Sequence, residues 1–295
     1  MPSKNSNNRL LALDIGATHT RIASFDNDLS IQDSEYFDTP RKQLAEKLNQ
    51  KIIDFIKDKP DANGLAISVA GPVVGNKVIF TNIEGKPTLS VDDFTNLIPK
   101  TVIINDAAAA AYAESISRHC DNLVYITFSS GIGVGVIKDG NIVKFENTTA
   151  ELGHIFIESE IDVLCGCGGK NHWEAFSSGV DIPNYYTKWL KSKNLDTDCK
   201  IVQDIYKEAE EGKEPAYSFI SQEIGNINDY AINKIIELYR PEVIIIGGPV
   251  ALKNTELFLA GISNETKLKT KLSFTDFGDD ISLIGAANWY RNHIE

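Results

Sequence analysis

LLALDIGATHTRIASFDN (residues 10–27) and LVYITFSSGIGVGVIKDG (residues 123–140) decide the fold of this 295-residue chain. Each is an apolar run, a glycine-containing turn and a second apolar run, the pattern of two strands joined as a hairpin. Laid over each other without gaps at an offset of 113 residues, Leu10 meets Leu123, Ile15 meets Phe128, Ala23 meets Val136 and Asp26 meets Asp139. Few residues are identical, but both hairpins lead into the same order of elements: a third strand, then alternating strands and helices. The expectation is an α/β chain of two related lobes around a central cleft.

Working outward from the first hairpin, Asp26-Asn27-Asp28 turns the chain into a strand through IQDSEYFDT. A helix is predicted over Arg41–Lys57, with apolar residues at Leu44, Leu48, Ile52, Phe55 and Ile56. GLAISVAG, KVIFTN and TVIIN read as strands, the last running into the alanine-rich helix of NDAAAAAYAES. After the second hairpin come the strand IVKF, the segment ELGHIFIE, and mostly helices beyond Trp173. The longest helix is predicted from about Tyr217 to Tyr239, before Pro241. EVIIIGG is a buried strand, and ISLIGAANWYRN reads as a last strand-to-helix step.

Hydrophobic residues make up 42% and charged residues 24%, ordinary for a globular protein. The net charge of −12 disfavours nucleic acid as a partner, while local amides and a divalent cation can still hold an anionic nucleotide. The polar start MPSKNSNNRLLALDIG has no signal-peptide core, and no run reaches the roughly 18 apolar residues of a membrane helix. Of the four cysteines, Cys165 and Cys167 stand too close for an ordinary bridge, and Cys120 and Cys199 are isolated. A reduced, cytoplasmic protein is expected.

Asp14-Ile15-Gly16-Ala17-Thr18 is a strand end and a turn whose amides and hydroxyls can face anionic oxygens, with Asp14 able to hold Mg²⁺ through water. Ser129-Ser130-Gly131-Ile132-Gly133 repeats that turn in the second half, and two such turns can hold the phosphates of one nucleotide. Gly247-Gly248 after EVIII is either a plain strand-to-helix turn or the floor of an adenosine pocket. Asp106, where strand TVIIN meets its helix, either caps that helix or accepts a proton from a hydroxyl nucleophile. Between Glu151 and Glu174 the chain gathers Glu-x-x-His, Cys-x-Cys, a second His and Trp-Glu. Thiolates and imidazoles bind zinc and carboxylates accept from hydroxyls, which suggests a metal-knotted loop presenting acids to a hydroxylated ligand.

DIGATHTRIA, AISVAGPV, TN, INDAAAAAYAE, SSGIGVGVI, ELGH, CGCGGKNHWE, IIIGG and LIGAAN occur in this order and span most of the chain. In these motifs the chain resembles the ROK family of sugar kinases, within the actin-like ATPase superfamily of ribonuclease-H-like lobes. The resemblance implies ATP-dependent phosphorylation of a hexose, with the 6-hydroxyl of glucose the first expectation; an N-acetylhexosamine, mannose or fructose is the alternative acceptor. It implies a smaller lobe over residues 1–106, completed by a helix at about 284–295, and a larger one over 107–283.

By matching positions, Asp14, Gly16 and Thr18 form the first phosphate motif and Ser130, Gly131 and Gly133 the second. Gly247 and Gly248 form the adenosine motif. Asp106 becomes the general base, and Gly71, Asn82, Asn105, Glu151, His154 and Glu174 become sugar contacts. A structural Zn²⁺ is implied on His154, Cys165 and Cys167, with His172 where the family has a third Cys; the alternative is a loop without metal. Ser129-Ser130 stands where Gly-Thr is usual. ATP and Mg²⁺ are the implied cofactors and a homodimer the implied assembly. A sugar-responsive repressor of the same fold would carry a DNA-binding segment ahead of the first strand, where only about nine residues stand here.

Overall fold

The computed structural model describes residues 9–16, 18–57, 62–80, 86–145, 148–149, 151–196 and 200–294. Their contacts divide them into two compact units, Met1–His119 with Asn141–Ala150 and Phe277–Glu295, and Cys120–Gly140 with Glu151–Asp276.

The first unit is built on strands β1 (Arg9–Ile15), β2 (His19–Phe25), β3 (Ile31–Asp38), β4 (Ala62–Val69) and β5 (Lys100–Asn105), in the order β3-β2-β1-β4-β5. The hairpin pairs are antiparallel and β1-β4-β5 are parallel. Leu11, Leu13 and Ile15 enter one core with Leu65, Ile67 and Val69, while Leu10 and Ala12 enter the other with Ala66. That is the two-faced burial expected of an apolar run in a covered sheet.

Helix α1 (Leu44–Ile56) covers the first face with Leu44, Leu48, Ile52 and Phe55, the spacing read from the sequence. Helix α2 (Asp106–Arg118) covers the second together with the C-terminal helix Ile281–Ile294. A Cβ on Gly285 would stand 1.9 Å from the Ala109 carbonyl oxygen, so the two helix backbones touch there. Through this contact α2 belongs to the first unit, and the division falls after His119 rather than at residue 106. The stretch ISLI is helical and not a strand: Leu283, Ala286, Ala287 and Tyr290 form a buried helical stripe, and the last strand among the described residues lies earlier, at Lys271–Phe274.

In the second unit β6 (Leu123–Phe128), β7 (Ile132–Lys138), β8 (Val243–Gly247) and β9 (Lys271–Phe274) repeat the plan in the order β7-β6-β8-β9. The 113-residue offset holds for β1 and β6 but slips by one in the second strands. Thr20 lies opposite Ile15, whereas Ile132 lies opposite Phe128, so the first turn holds one residue more. Ala23 therefore corresponds to Gly135 and not to Val136. The long helix is continuous from Ala216 to Tyr239, with a π-helical stretch at Phe219–Ile224. No helix among the described residues is long and apolar enough to cross a membrane.

Candidate active site

Parallel strands aligned in register deliver their C-terminal ends to one edge of a sheet, where ligands of open α/β folds bind. In the first unit Ile15, Val69 and Asn105 are paired in one row, so the residues just beyond them, Gly16, Thr18, Gly71 and Asp106, share that edge. The Gly16 amide donates to the His19 carbonyl at 2.9 Å and closes the turn. Thr39, buried, donates through its amide to the Thr18 carbonyl at 2.9 Å and through its hydroxyl to the Gly16 carbonyl at 2.8 Å. Asp14, at the end of β1, accepts from the Ser68 hydroxyl at 2.8 Å. Burial raises its carboxyl to about 6, against the opposing pull of the Ser68 hydrogen bond and the Arg21 charge. A cation beside Asp14 would restore its ionised form, which suits a site for hydrated Mg²⁺.

The geometry identifies the cap at the start of α2. The cap is Asn105, whose Oδ1 accepts from the Ala108 amide at 3.0 Å while its Nδ2 donates to the Gly71 carbonyl at 3.1 Å. Asp106 is the first helical residue, and its Oδ1 accepts from the Ala107 amide at 2.8 Å. Gly71 has φ +150, and a Cβ there would meet the Ile79 carbonyl oxygen at 3.2 Å. Asn82 lies outside the described residues, as do Ala17 of the first turn and Cys199.

The second unit holds the other groups. Ser129 donates its amide to the Gly131 carbonyl at 2.9 Å, closing the second turn, and Gly133 comes next inside β7. Glu174, in the short helix α3 (Trp173–Ser177), accepts from the Ile132 amide at 2.9 Å. Gly153 of ELGH packs so closely that a Cβ would stand 2.2 Å from the Ile132 carbonyl oxygen, so only glycine fits. His154 follows it directly and Glu151 stands two residues before it. Desolvation raises the Glu151 carboxyl, with the Glu174 charge adding to the effect and His154 opposing it.

One donor atom from each of His154, Cys165, Cys167 and His172 lies within 4.8 Å of the others. A zinc tetrahedron with ordinary bond lengths has edges of about 3.3–3.8 Å, so a contraction of roughly 1 Å would close the set. Cys167 Sγ and His172 Nδ1 are already 3.2 Å apart. The imidazole is accommodated by Gly169, where a Cβ would come within 2.5 Å of His172 Cε1. Burial pushes the Cys165 thiol up to about 12, so a thiolate there needs a cation beside it. Asn171, at φ +57 and buried, ties the loop by accepting from the Val163 amide at 2.9 Å.

A cavity of about 450 Å³ opens beside the second turn, lined by Ser129 and Ser130, Gly179 and Val180, Gln203, Tyr206 and Lys207, and Pro249, Val250, Lys253 and Asn254 among others. Gly247 and Gly248 do not line it. Gly248 has φ +83 and lies against the Phe128 backbone, and a Cβ on Gly247 would strike the Tyr125 ring. Their close packing sets the path of the chain into Pro249–Leu252, which forms part of the wall. Sequence reasoning missed Val180, Gln203, Tyr206 and Lys253, which carry no motif of their own.

The model of the ROK family matches residues 10–293. A glucokinase of Pyrobaculum calidifontis is 29% identical over 95% of this chain and 94% of its own length. An N-acetylmannosamine kinase of Citrobacter koseri is 27% identical over 94% of this chain and 97% of its own. Among solved structures, a ROK family glucokinase from Streptomyces griseus in complex with glucose and AMPPNP superposes with a TM-score of 0.75, at 23% identity over 96% of this chain and 99% of that one.

Proposed function

This chain belongs to the ROK family and is an ATP-dependent hexose kinase, and we propose that its acceptor is the 6-hydroxyl of glucose. The observation that carries the reading is local to the second unit. Glu174, a group suited to sugar hydroxyls, is joined by its hydrogen bond from Ile132 to a turn whose serines line a nucleotide-sized cavity, and its charge is felt by the second such group, Glu151.

Phosphoryl transfer needs positioning and charge neutralisation more than covalent help. In the proposed reaction Asp106 takes the proton from the acceptor hydroxyl as its oxygen attacks the γ-phosphorus, and ADP leaves. Asn105, by capping α2, fixes the backbone that carries Asp106, whose Oδ1 accepts from the Ala107 amide at 2.8 Å. Gly71, Asn82, Asn105, Glu151, His154 and Glu174 pair with sugar hydroxyls and reject analogues lacking them. The Gly16–Thr18 turn with Asp14, and Ser130, Gly131 and Gly133, hold the phosphates; Gly247 and Gly248 shape the adenosine wall. Mg²⁺, when bound near Asp14, supplies neutralisation of phosphate charge.

His154, Cys165, Cys167 and His172 would hold a structural Zn²⁺, a closed Cys₂His₂ set that fixes the loop bearing Glu151 and Glu174. A cytoplasmic homodimer, with sugar and nucleotide as its only other partners, completes the proposal.

A second acceptor class, N-acetylhexosamines, is favoured by the kinase relatives that carry N-acetylmannosamine in their names. A panel of glucose, mannose, fructose, N-acetylglucosamine and N-acetylmannosamine at fixed ATP, read by ADP release, tests the proposal. Glucose should give the highest kcat/KM, and ADP release independent of every sugar would sink the reading.

A further inference from the structure

Helix α3 has only five residues, yet both of its ends are fastened to the turn Ser129–Gly131. At its start the Glu174 carboxylate accepts from the Ile132 amide at 2.9 Å, and a Cβ on Gly131 would lie 2.5 Å from Glu174 Oε2. Just past its end the Gly179 amide donates to the Ser129 carbonyl at 2.8 Å. A Cβ on Gly179 would stand 2.8 Å from that same oxygen, so the backbones are in direct contact. The helix itself is rigidly seated. Trp173 is fully buried, donates its indole N–H to Asn228 at 2.8 Å, and donates its backbone amide to the Ile155 carbonyl at 2.8 Å.

We propose that α3 is a two-point clamp on the nucleotide turn, and that Glu174 is a positioning residue for nucleotide binding as well as a sugar contact. The proposal rests on the kinase reading above, in which this turn holds phosphates. A short glycine turn left to itself samples many backbone conformations, and a phosphate-binding turn works only when its amides are aimed beforehand. Glu174 Oε2 holds Ile132, the residue immediately after Gly131. Gly179 holds Ser129, the residue immediately before Ser130. The two bonds bracket the serine-glycine pair from opposite sides. A carboxylate has about four acceptor sites, so the bond from the Ile132 amide to Oε2 and the 3.8 Å contact of the Cys165 thiol with Oε1 leave capacity for a sugar hydroxyl on the same group. Sugar and nucleotide would then meet at one side chain, which gives a physical route for either to affect the affinity of the other.

The test measures binding of a non-hydrolysable ATP analogue with Mg²⁺ by calorimetry, with no sugar present. The full chain is compared with Glu174→Ala, Glu174→Gln and Gly179→Ala, with metal content and circular dichroism recorded on each sample. A hydrogen bond to a charged group predicts that Glu174→Ala weakens nucleotide binding by about tenfold or more. Glu174→Gln keeps an acceptor for Ile132 and should restore most of that loss, although it lowers kcat/KM for sugar. Gly179→Ala lies outside the metal loop and should weaken nucleotide binding with metal content unchanged. If both alanine variants bind the analogue as the unaltered protein does, while sugar KM rises in Glu174→Ala, the clamp is refuted and Glu174 serves the sugar alone. Failure of the unaltered protein to bind the analogue would sink the kinase reading, and the clamp with it.

Discussion

Replacing Asp14 by Asn should make the ligand-free protein more stable at neutral pH while destroying its use of Mg²⁺–ATP. Burial raises the Asp14 carboxyl from an ordinary 3.8 to about 6, so the folded state holds the proton more tightly than the unfolded chain does. Stability from this group is fully present below pH 3.8, falls as pH rises toward 6, and is constant above that. A shift of this size corresponds to at most about 3 kcal/mol, the cost of ionising Asp14 in place. Asparagine is nearly isosteric, keeps an oxygen to accept from Ser68, and carries no charge. The variant should therefore gain up to about 3 kcal/mol at about pH 7.5 and much less at about pH 4.5. For a domain of this size that is a rise of roughly 5 °C or more in the unfolding midpoint. Thermal and urea unfolding without nucleotide or Mg²⁺, at both pH values, measure the difference, and ADP release measures the loss of turnover. A variant less stable than the parent at neutral pH, or a difference independent of pH, would refute this account of Asp14.

Single contacts set the other expectations. About one zinc per chain should be found by elemental analysis, His172→Ala should lose most of it, and His172→Cys should retain it; full metal content in His172→Ala would remove His172 from the ligand set. Asn105→Ala removes both the α2 cap and the link to Gly71, and should cost about 1–2 kcal/mol in urea unfolding while lowering kcat. An unchanged midpoint would show that another group has taken the cap.

The hairpins are legible because burial on both faces requires unbroken apolar runs, which leave β1 and β6 as matching strings. Their turn lengths are not legible. One extra residue before Thr20 changes the pairing without changing the apolar pattern, so the gapless overlay slips by one in the second strand. ISLI misleads because four apolar-rich residues serve a strand or a helix equally well. The contact of Gly285 with Ala109 comes from an element far away in sequence, and it is this packing that selects the helix. The cluster of His154, Cys165, Cys167 and His172 can be read because its members are close in sequence and chemically rare. The cavity wall cannot, since Val180, Gln203, Tyr206 and Lys253 come from separate stretches of the chain and are ordinary residue types. Asn105 and Asp106 are neighbours that can both cap, and only the backbone hydrogen bonds distinguish them.

The central claim is that this chain moves a phosphoryl group from ATP to a hexose hydroxyl with Asp106 as the base. Its most direct test is glucose-dependent ADP release by the unaltered protein and by Asp106→Asn, with nucleotide binding measured on both. The account predicts robust release by the parent, a loss of about 10²–10⁴-fold in kcat for the variant, and the same nucleotide affinity for each. Near-normal turnover in Asp106→Asn, or no sugar-dependent release by the parent, would contradict it.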